Sequence, residues 1–320
     1  MQAADQQILG RARDWLTEAE LPVWLCTIAA AVGASPRPPG ALLVCNGRGE
    51  QLGSLSGGCI EEDLLERLRE DGLPGARAAL IEYGVSAAQN ERLGLPCGGR
   101  LQVLVQRLQV QSDLPWLEAA LAAIGARRCL RRVVDISTGA TRYGEEELHQ
   151  ALDFDGRELA QSFGPQMRLL LVGAGQLSQG LAELALAMDY DVLVTDPRPS
   201  MLEQWEGPSV PLLGGMPDDV VRDHASDRHS IVITLTHDPR IDDMALMEAL
   251  TTPAWYVGAL GSRRTTDRRL QRLRQLELSE EQLASLHAPV GLDIGSKTPL
   301  EIAVSIMAQL IQLRRQPGRR

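Results

Sequence analysis

Two thiols in this chain stand beside glycine pairs. Gly57-Gly58-Cys59 sets a cysteine after two glycines, and Cys97-Gly98-Gly99 sets one before two. Adjacent glycines let backbone approach a ligand closely, and the unpaired N–H groups at a helix start favour an anion. The segment Gly53-Ser-Leu-Ser-Gly-Gly-Cys59 therefore suits a phosphate or the chemistry of a reactive sulfur, with Cys59 and Cys97 as the candidate reactive groups. If the two loops meet, both thiols and several glycine amides face one cavity, which is what a bulky, anionic, sulfur-containing ligand needs. Ile60, Leu64, Leu65 and Leu68 recur on one face, so the spacing predicts a helix beginning near Cys59. Glu61, Glu62 and Asp63 then fall in its first turn, where the helix dipole favours them and where their charge opposes a low thiol pKa. A structural cysteine buried on a tight turn accounts for the same pattern.

A second constellation lies further along. Arg168-Leu-Leu-Leu-Val172 reads as a short buried strand and Gly173-Ala-Gly175-Gln-Leu-Ser178 as a glycine turn. A helix follows, with Leu177, Leu181, Leu184, Ala185 and Met188 on its apolar face, and then a strand over Asp191–Thr195 with Asp196 at its end. In a dinucleotide fold Gly173 permits the tight turn, Gly175 lets backbone approach a pyrophosphate, and Asp196 accepts from a ribose hydroxyl. Ser178 takes the place of a third glycine, and Arg198 softens discrimination against a 2′-phosphate. A doubly wound fold whose dinucleotide site is degenerate or reused is the alternative.

Strands over Ser230–Leu235 and Ala254–Val257 continue the pattern. The first runs into Thr236-His237-Asp238. There His237 can shuttle a proton with Asp238 orienting it, or Asp238 simply caps a turn beside a solvent-facing histidine. The second runs into Gly258-Ala-Leu-Gly261-Ser-Arg263-Arg264 and a helix, making Gly261, Arg263 and Arg264 a candidate anion clamp. Close to the end, His287, Asp293 and Lys297 precede Thr298-Pro299-Leu300-Glu301, a capping box with proline at the first helical position. Lys297, the sole lysine, thus sits before a helix start at a second phosphate or carboxylate locus.

The elements that position these groups are less regular in the first half. Strands over Val23–Ile28 and Ala41–Cys45 flank Gly33-Ala-Ser-Pro-Arg-Pro-Pro-Gly40, a rigid turn that holds Arg37 in a proline frame. Ile81–Tyr83 and Leu101–Val105 read as further strands, Pro115–Arg132 as a helix and the start of a strand, and Gly164-Pro165 as a linker. A chain of 320 residues suits two domains, and we take them as 1–163 and 166–320. A net charge of −10 argues against broad nucleic-acid binding. No apolar run is long enough to span a bilayer and no signal-type start is present, so we expect a cytoplasmic protein without membrane partners. The five cysteines form no C-x-x-C pair and have no histidine at zinc spacing, so neither a metal site nor a disulfide scaffold is expected.

With these blocks in order, the chain resembles the xanthine dehydrogenase accessory (XdhC/CoxI) family over nearly its whole length. The residues that carry the resemblance are Gly33–Gly40, Gly57–Glu61, Cys97–Gly99, Val172–Gly175, Asp196–Arg198, Val257–Arg264 and His287–Gly295. It implies an α/β protein in which an N-terminal family-specific α/β domain precedes a C-terminal Rossmann-like domain with a doubly wound parallel sheet. It also implies a maturation factor that binds molybdenum cofactor (molybdopterin), assists its sulfuration with a cysteine desulfurase and delivers it to an apo molybdenum hydroxylase. In that role Cys59 and Cys97 face the sulfur, while the glycine turns, Arg263, Arg264 and Lys297 hold phosphate or pterin-side oxygens. Arg37, Asp196, Arg198, His287 and Asp293 complete the expected cofactor contacts, and a homodimer is expected. Two departures stand out: Ser178 replaces a glycine, and Ser296-Lys297 stands where many relatives have alanine and arginine. The rival expectation is an NAD(P)-dependent oxidoreductase acting on a small substrate, with His237 as acid/base. A redox-sensing adaptor that docks on a hydroxylase and a desulfurase is a third.

Overall fold

Strand β1 (Val23–Val32) is buried along its first seven residues, so both faces of its sheet must be covered. It lies in the first of two units, Met1–Pro165, which is followed by Gln166–Arg320. The computed structural model describes residues 2–18, 21–33, 37–70, 77–85 and 99–315. Cys97, Gly98 and the Cys59 side chain lie outside what is described, as does any meeting of the two glycine–thiol loops.

In the first unit β1 pairs antiparallel with β2 (Leu42–Asn46) and β5 (Arg100–Arg107); β3 (Gln51–Gly53) and β4 (Ala78–Tyr83) complete the order β3-β2-β1-β5-β4. Side chains alternate between faces along each strand. Val23, Leu25, Leu42 and Val44 meet helices α1 (Gln2–Glu18) and α3 (Val110–Gly125). Trp24, Cys26, Leu43 and Cys45 meet helix α2 (Cys59–Glu70) through Ile60, Leu64 and Leu68. Ile60 and Leu64 are fully buried, each contributing about 1.5–3 kcal/mol. That seam seats the first turn of α2 against the sheet.

A second antiparallel sheet, in the order β7-β6-β9-β8, comprises β6 (Cys129–Asp135), β7 (Thr141–Glu146), β8 (Asp153–Phe154) and β9 (Glu158–Phe163). Arg132 of β6 is fully buried, its guanidinium 4.3 Å from the Trp116 ring of α3. The side chain of Asp113 on α3 accepts from Arg77 at 2.6 Å and from Trp116 at 3.0 Å.

The second unit repeats strand, turn and helix: β10 (Arg168–Val172), α4 (Gln176–Ala187), β11 (Asp191–Thr195), α5 (Pro199–Glu203), β12 (Leu212–Leu213), α6 (Pro217–His224), β13 (Ser230–Thr234), α7 (Pro239–Ala249) and β14 (Tyr256–Ala259). Helices α8 (Arg263–Gln275) and α9 (Glu280–Ala284), strand β15 (Leu286–His287) and helix α10 (Pro299–Arg315) finish it. The strands are parallel, in the order β12-β11-β10-β13-β14-β15. Helices α4 and α10 cover one face, and α6, α7 and α8 the other. The order reverses between β10 and β13, which opens a crevice at the carboxyl ends of the strands. No helix among the described residues is long and apolar enough to cross a membrane.

Candidate functional site

The turn before α2 is built around one carboxylate. Glu61 is 4% exposed, and its Oε1 accepts from Ser54 Oγ at 3.0 Å, Leu55 N at 2.8 Å, Ser56 N at 2.8 Å and Gly57 N at 3.0 Å. Its Oε2 accepts from Gly58 N at 3.0 Å and from the Ser56 hydroxyl. Burial disfavours the charge, but the bonds from Ser56, Gly57 and Leu55 outweigh it and hold the carboxyl far below the usual carboxylate range. This corrects the expectation of an external anion at Gly57 and Gly58: their N–H groups already hold the chain's own anion. What the two glycines leave open is space. Among the described residues a Cβ at either would meet nothing within 4 Å, and Gly57 has φ +93°. The backbone thus delivers Cys59 as the first residue of α2, directly after two glycines that no described residue covers.

The other described cysteines are spent on packing. Cys26 and Cys45 are fully buried on neighbouring strands, and the Cys26 thiol is pushed up by its hydrogen bond to Cys45 and by burial. Burial similarly pushes Cys129 up to about 11. Of the remaining candidates in this unit, Arg37 lies exposed on its turn, and Gly99 is buried, a Cβ at Gly33 standing 3.3 Å from its Cα.

At the crevice of the second unit the structure brings together Gly173, Gly175, Asp196, Arg198 and His237. Gly173 (φ +113°) donates to Thr195 O at 2.7 Å, and a Cβ there would stand 2.9 Å from Thr236 Cγ2. Gly173→Ala is therefore expected to destabilise the second unit by about 2 kcal/mol, through φ strain and overpacking. Urea unfolding of this variant against Gly175→Ala, where a Cβ meets open space, checks it. Ser178 explains its departure from glycine: it is buried and its hydroxyl donates to the Gly173 carbonyl, tying α4 to the turn.

Asp196 is not free to accept from a ribose. It is fully buried and takes Ala174 N at 3.0 Å, Arg198 N at 3.0 Å, Arg198 Nε at 2.8 Å and Arg198 Nη2 at 2.7 Å. A carboxylate offers about four acceptor sites, and all are used. Burial disfavours its charge, but Arg198 and the Ala174 amide prevail and lower its pKa. The pairing of His237 with Asp238 also fails. His237 is exposed at φ 62°, while Asp238 caps α7 through Arg240 N at 3.0 Å and pairs with Arg240 Nη2 at 2.9 Å. The turn-capping alternative is what the chain adopts.

Of the other candidates, Gly261, Arg263, Arg264 and His287 lie on or after strands three and four places from β11. Gly261 lies in the loop after β14, and Arg263 and Arg264 are exposed at the start of α8, whose cap is Ser262 accepting from Thr265 N at 3.2 Å. His287 stacks on Tyr256 with ring centroids 4.4 Å apart. Its strand lies four places from β11, roughly 19 Å across the sheet. Asp293 and Lys297 are exposed; the Lys297 amide donates to Glu301 at 2.7 Å as part of the cap of α10. Sequence reasoning missed the cradle role of Glu61, the clamp of Arg198 on Asp196, and Arg269. Arg269, 2% exposed, bridges Asp242 Oδ2 at 2.9 Å and Leu260 O at 3.0 Å. The signal for Glu61 was its place as third helical residue, where a glutamate reaches back to the cap.

Fold and crevice define a two-unit α/β protein whose second unit is of the Rossmann type. A family model described as the XdhC Rossmann domain matches residues 169–310 and one described as the XdhC and CoxI family matches residues 16–84; the chain belongs to that family. It is 26% identical to a probable xanthine dehydrogenase subunit of Bacillus subtilis, over 95% of this chain and 96% of that one. It is 28% identical to the molybdenum cofactor insertion chaperone PaoD of Escherichia coli, over 91% of this chain and 83% of that one. A crystal structure of a xanthine dehydrogenase from Bacillus halodurans superposes with a TM-score of 0.74 at 26% identity, covering 98% of this chain and 97% of that one.

Proposed function

We propose that this protein is a maturation factor for a molybdenum hydroxylase. It takes molybdenum cofactor as cargo, assists its sulfuration with a cysteine desulfurase as partner, and passes it to the apo-enzyme, acting as a homodimer. The observation that carries this reading is the Glu61-held turn. It sets Cys59 at the head of α2 beside two glycines that, among the described residues, nothing covers. A cysteine at a helix start next to a glycine pair suits a flat, sulfur-bearing ligand, and because Glu61 fills the amide nest, the cargo's phosphate binds elsewhere. The relative named as a molybdenum cofactor insertion chaperone supports the same role.

The test is co-expression with an active molybdenum cofactor pathway, followed by assay of the purified chain for pterin and molybdenum. Cofactor should co-purify with the wild-type chain, and Cys59→Ser should lose most of it while melting at the same temperature. A preparation free of pterin and molybdenum, together with unchanged hydroxylase activity when the protein is deleted, overturns the reading. In the same strains Cys59→Ser should lower hydroxylase activity without lowering the amount of hydroxylase.

A further inference from the structure

Between the loops that follow β11, β12 and β13 lies a depression of about 320 Å³, lined by Pro197, Arg198, Met216, Pro217, Asp238, Arg240, Ile241 and Met244. Ligand pockets run from about 300 Å³ upward, so this one admits a heteroaromatic ring with part of its sugar. Proline, isoleucine and two methionines supply apolar contact for a flat ring, and a guanidinium stacks on such a face. The depression adjoins the strand-order reversal, on the β11 side of the glycine turn.

The polar groups on its rim are unevenly committed. The Asp196 carboxylate, which in an NAD-type site receives the ribose hydroxyls, has spent its acceptors on Ala174 and Arg198. Asp238 is engaged by Arg240 through the backbone N and both Nε and Nη2. The donors are not used up: among the described residues Nη1 of Arg198 and Nη1 of Arg240 have no hydrogen-bond partner. A ligand seated here therefore meets N–H donors at the position where a ribose 2′-oxygen would lie. A bare diol, which needs an acceptor, gains little, whereas a phosphate, which needs donors, is matched. Beyond the sugar, no described residue fills the space above Gly175, so a pyrophosphate can approach the start of α4.

We infer that the second unit binds an adenine dinucleotide carrying a 2′-phosphate, with Arg198 both shielding Asp196 and, together with Arg240, reading that phosphate. The residues that line the depression belong to the second unit and the Cys59 turn to the first, and the inference does not rest on the cargo assignment.

The test is calorimetric titration of the full-length chain with NADP⁺, NAD⁺ and 2′,5′-ADP, with no molybdenum cofactor present. NADP⁺ should bind at least about tenfold more tightly than NAD⁺, and 2′,5′-ADP should compete with it. Arg198→Ala should weaken NADP⁺ and strengthen NAD⁺, because it removes a donor and releases the Asp196 carboxylate together; a merely structural arginine would weaken both. Arg240→Ala, at an exposed position, should narrow the preference without changing the melting temperature, which keeps the test valid if Arg198→Ala folds poorly. Met216→Trp should block both nucleotides by filling the depression. NAD⁺ binding as tightly as NADP⁺, no binding of any of the three at millimolar concentration, or an unchanged preference in Arg240→Ala would each overturn the inference.

Discussion

Glu61→Ala is expected to lower the stability of the first unit by about 3 kcal/mol and to abolish cofactor co-purification along with it. Six donors converge on this carboxylate. Alanine strands the buried Leu55 amide outright, while Ser56, Gly57 and Gly58 recover part of the loss from water. Glu61→Gln should cost less, about 1–2 kcal/mol. Its amide oxygen can still accept at Oε1, the Ser56 hydroxyl can turn to accept from the amide nitrogen, and only Gly58 N is left facing a donor. The pH dependence separates the charge from the shape. The folded pKa lies below the unfolded value of about 4.3, so the charge contributes its full stability above that value and loses it as pH falls toward the folded pKa. The stability gap between wild type and Glu61→Ala should thus be constant near neutrality and close in acid. Glu61→Gln should show a flatter acid limb than the wild type. Urea unfolding from pH 7 to pH 3, followed by a signal from the first unit, measures all three; a gap that does not narrow in acid would show that Glu61 acts by packing alone.

The ease with which the sequence discloses each part follows from how it is buried. Leu169–Val172 and Ile231–Ile233 are covered on both faces by helices, so they stand out as unbroken apolar runs, and the glycines at 173 and 175 mark the turn between strand and helix. Strand β7 shows the opposite case. Thr-Arg-Tyr-Gly-Glu-Glu is exposed over its four central residues, pairs among the described residues only with β6, and carries no apolar alternation. The candidate residues were recognisable as types, but their partners were not. Asp196 stands where a ribose-binding acid belongs, and nothing in linear order says that Arg198 folds back over it through three nitrogen atoms. Glu61 was legible as a helix-start acid, and its six donors became countable only once the turn had closed. Internal pairing of a charge is a three-dimensional property, because one neighbouring guanidinium or amide decides whether a carboxylate faces ligand or protein.

Arg269→Ala carries the largest expected penalty in the second unit, about 3–5 kcal/mol, because it leaves a buried carboxylate without its partner. Asp242 is fully buried, with Oδ1 holding Thr236 N at 3.2 Å and Thr236 Oγ1 at 2.7 Å, and Oδ2 holding Arg269. Arg269 in turn holds the Leu260 carbonyl and lies 3.5 Å from Asp243 Oδ1, which Arg272 also pairs, so its guanidinium fastens the loop after β13 to the loop after β14. Burial raises the Asp242 pKa, against the opposing pull of Thr236 and Arg269. Removing the arginine raises it further, and the sign of the linkage follows. A carboxyl whose folded pKa exceeds its unfolded value of about 3.9 binds more protons when folded, so the variant's stability falls as pH rises through the folded pKa. The deficit of Arg269→Ala should therefore be greater at pH 8 than at pH 5, the reverse of the acid-closing gap at Glu61. Pairing it with Asp242→Asn removes the charge and should restore about 1–3 kcal/mol, a coupling that two independent losses would not show. The loop it releases, Thr236–Arg240, forms one side of the depression beside Arg198. Arg269→Ala should consequently weaken NADP⁺ even at temperatures where the variant remains folded, and rescue by Asp242→Asn should recover stability more fully than binding. The neutral side chain no longer anchors Thr236 as a charge does, so the rim that presents Arg240 stays loose after the fold itself has been repaired.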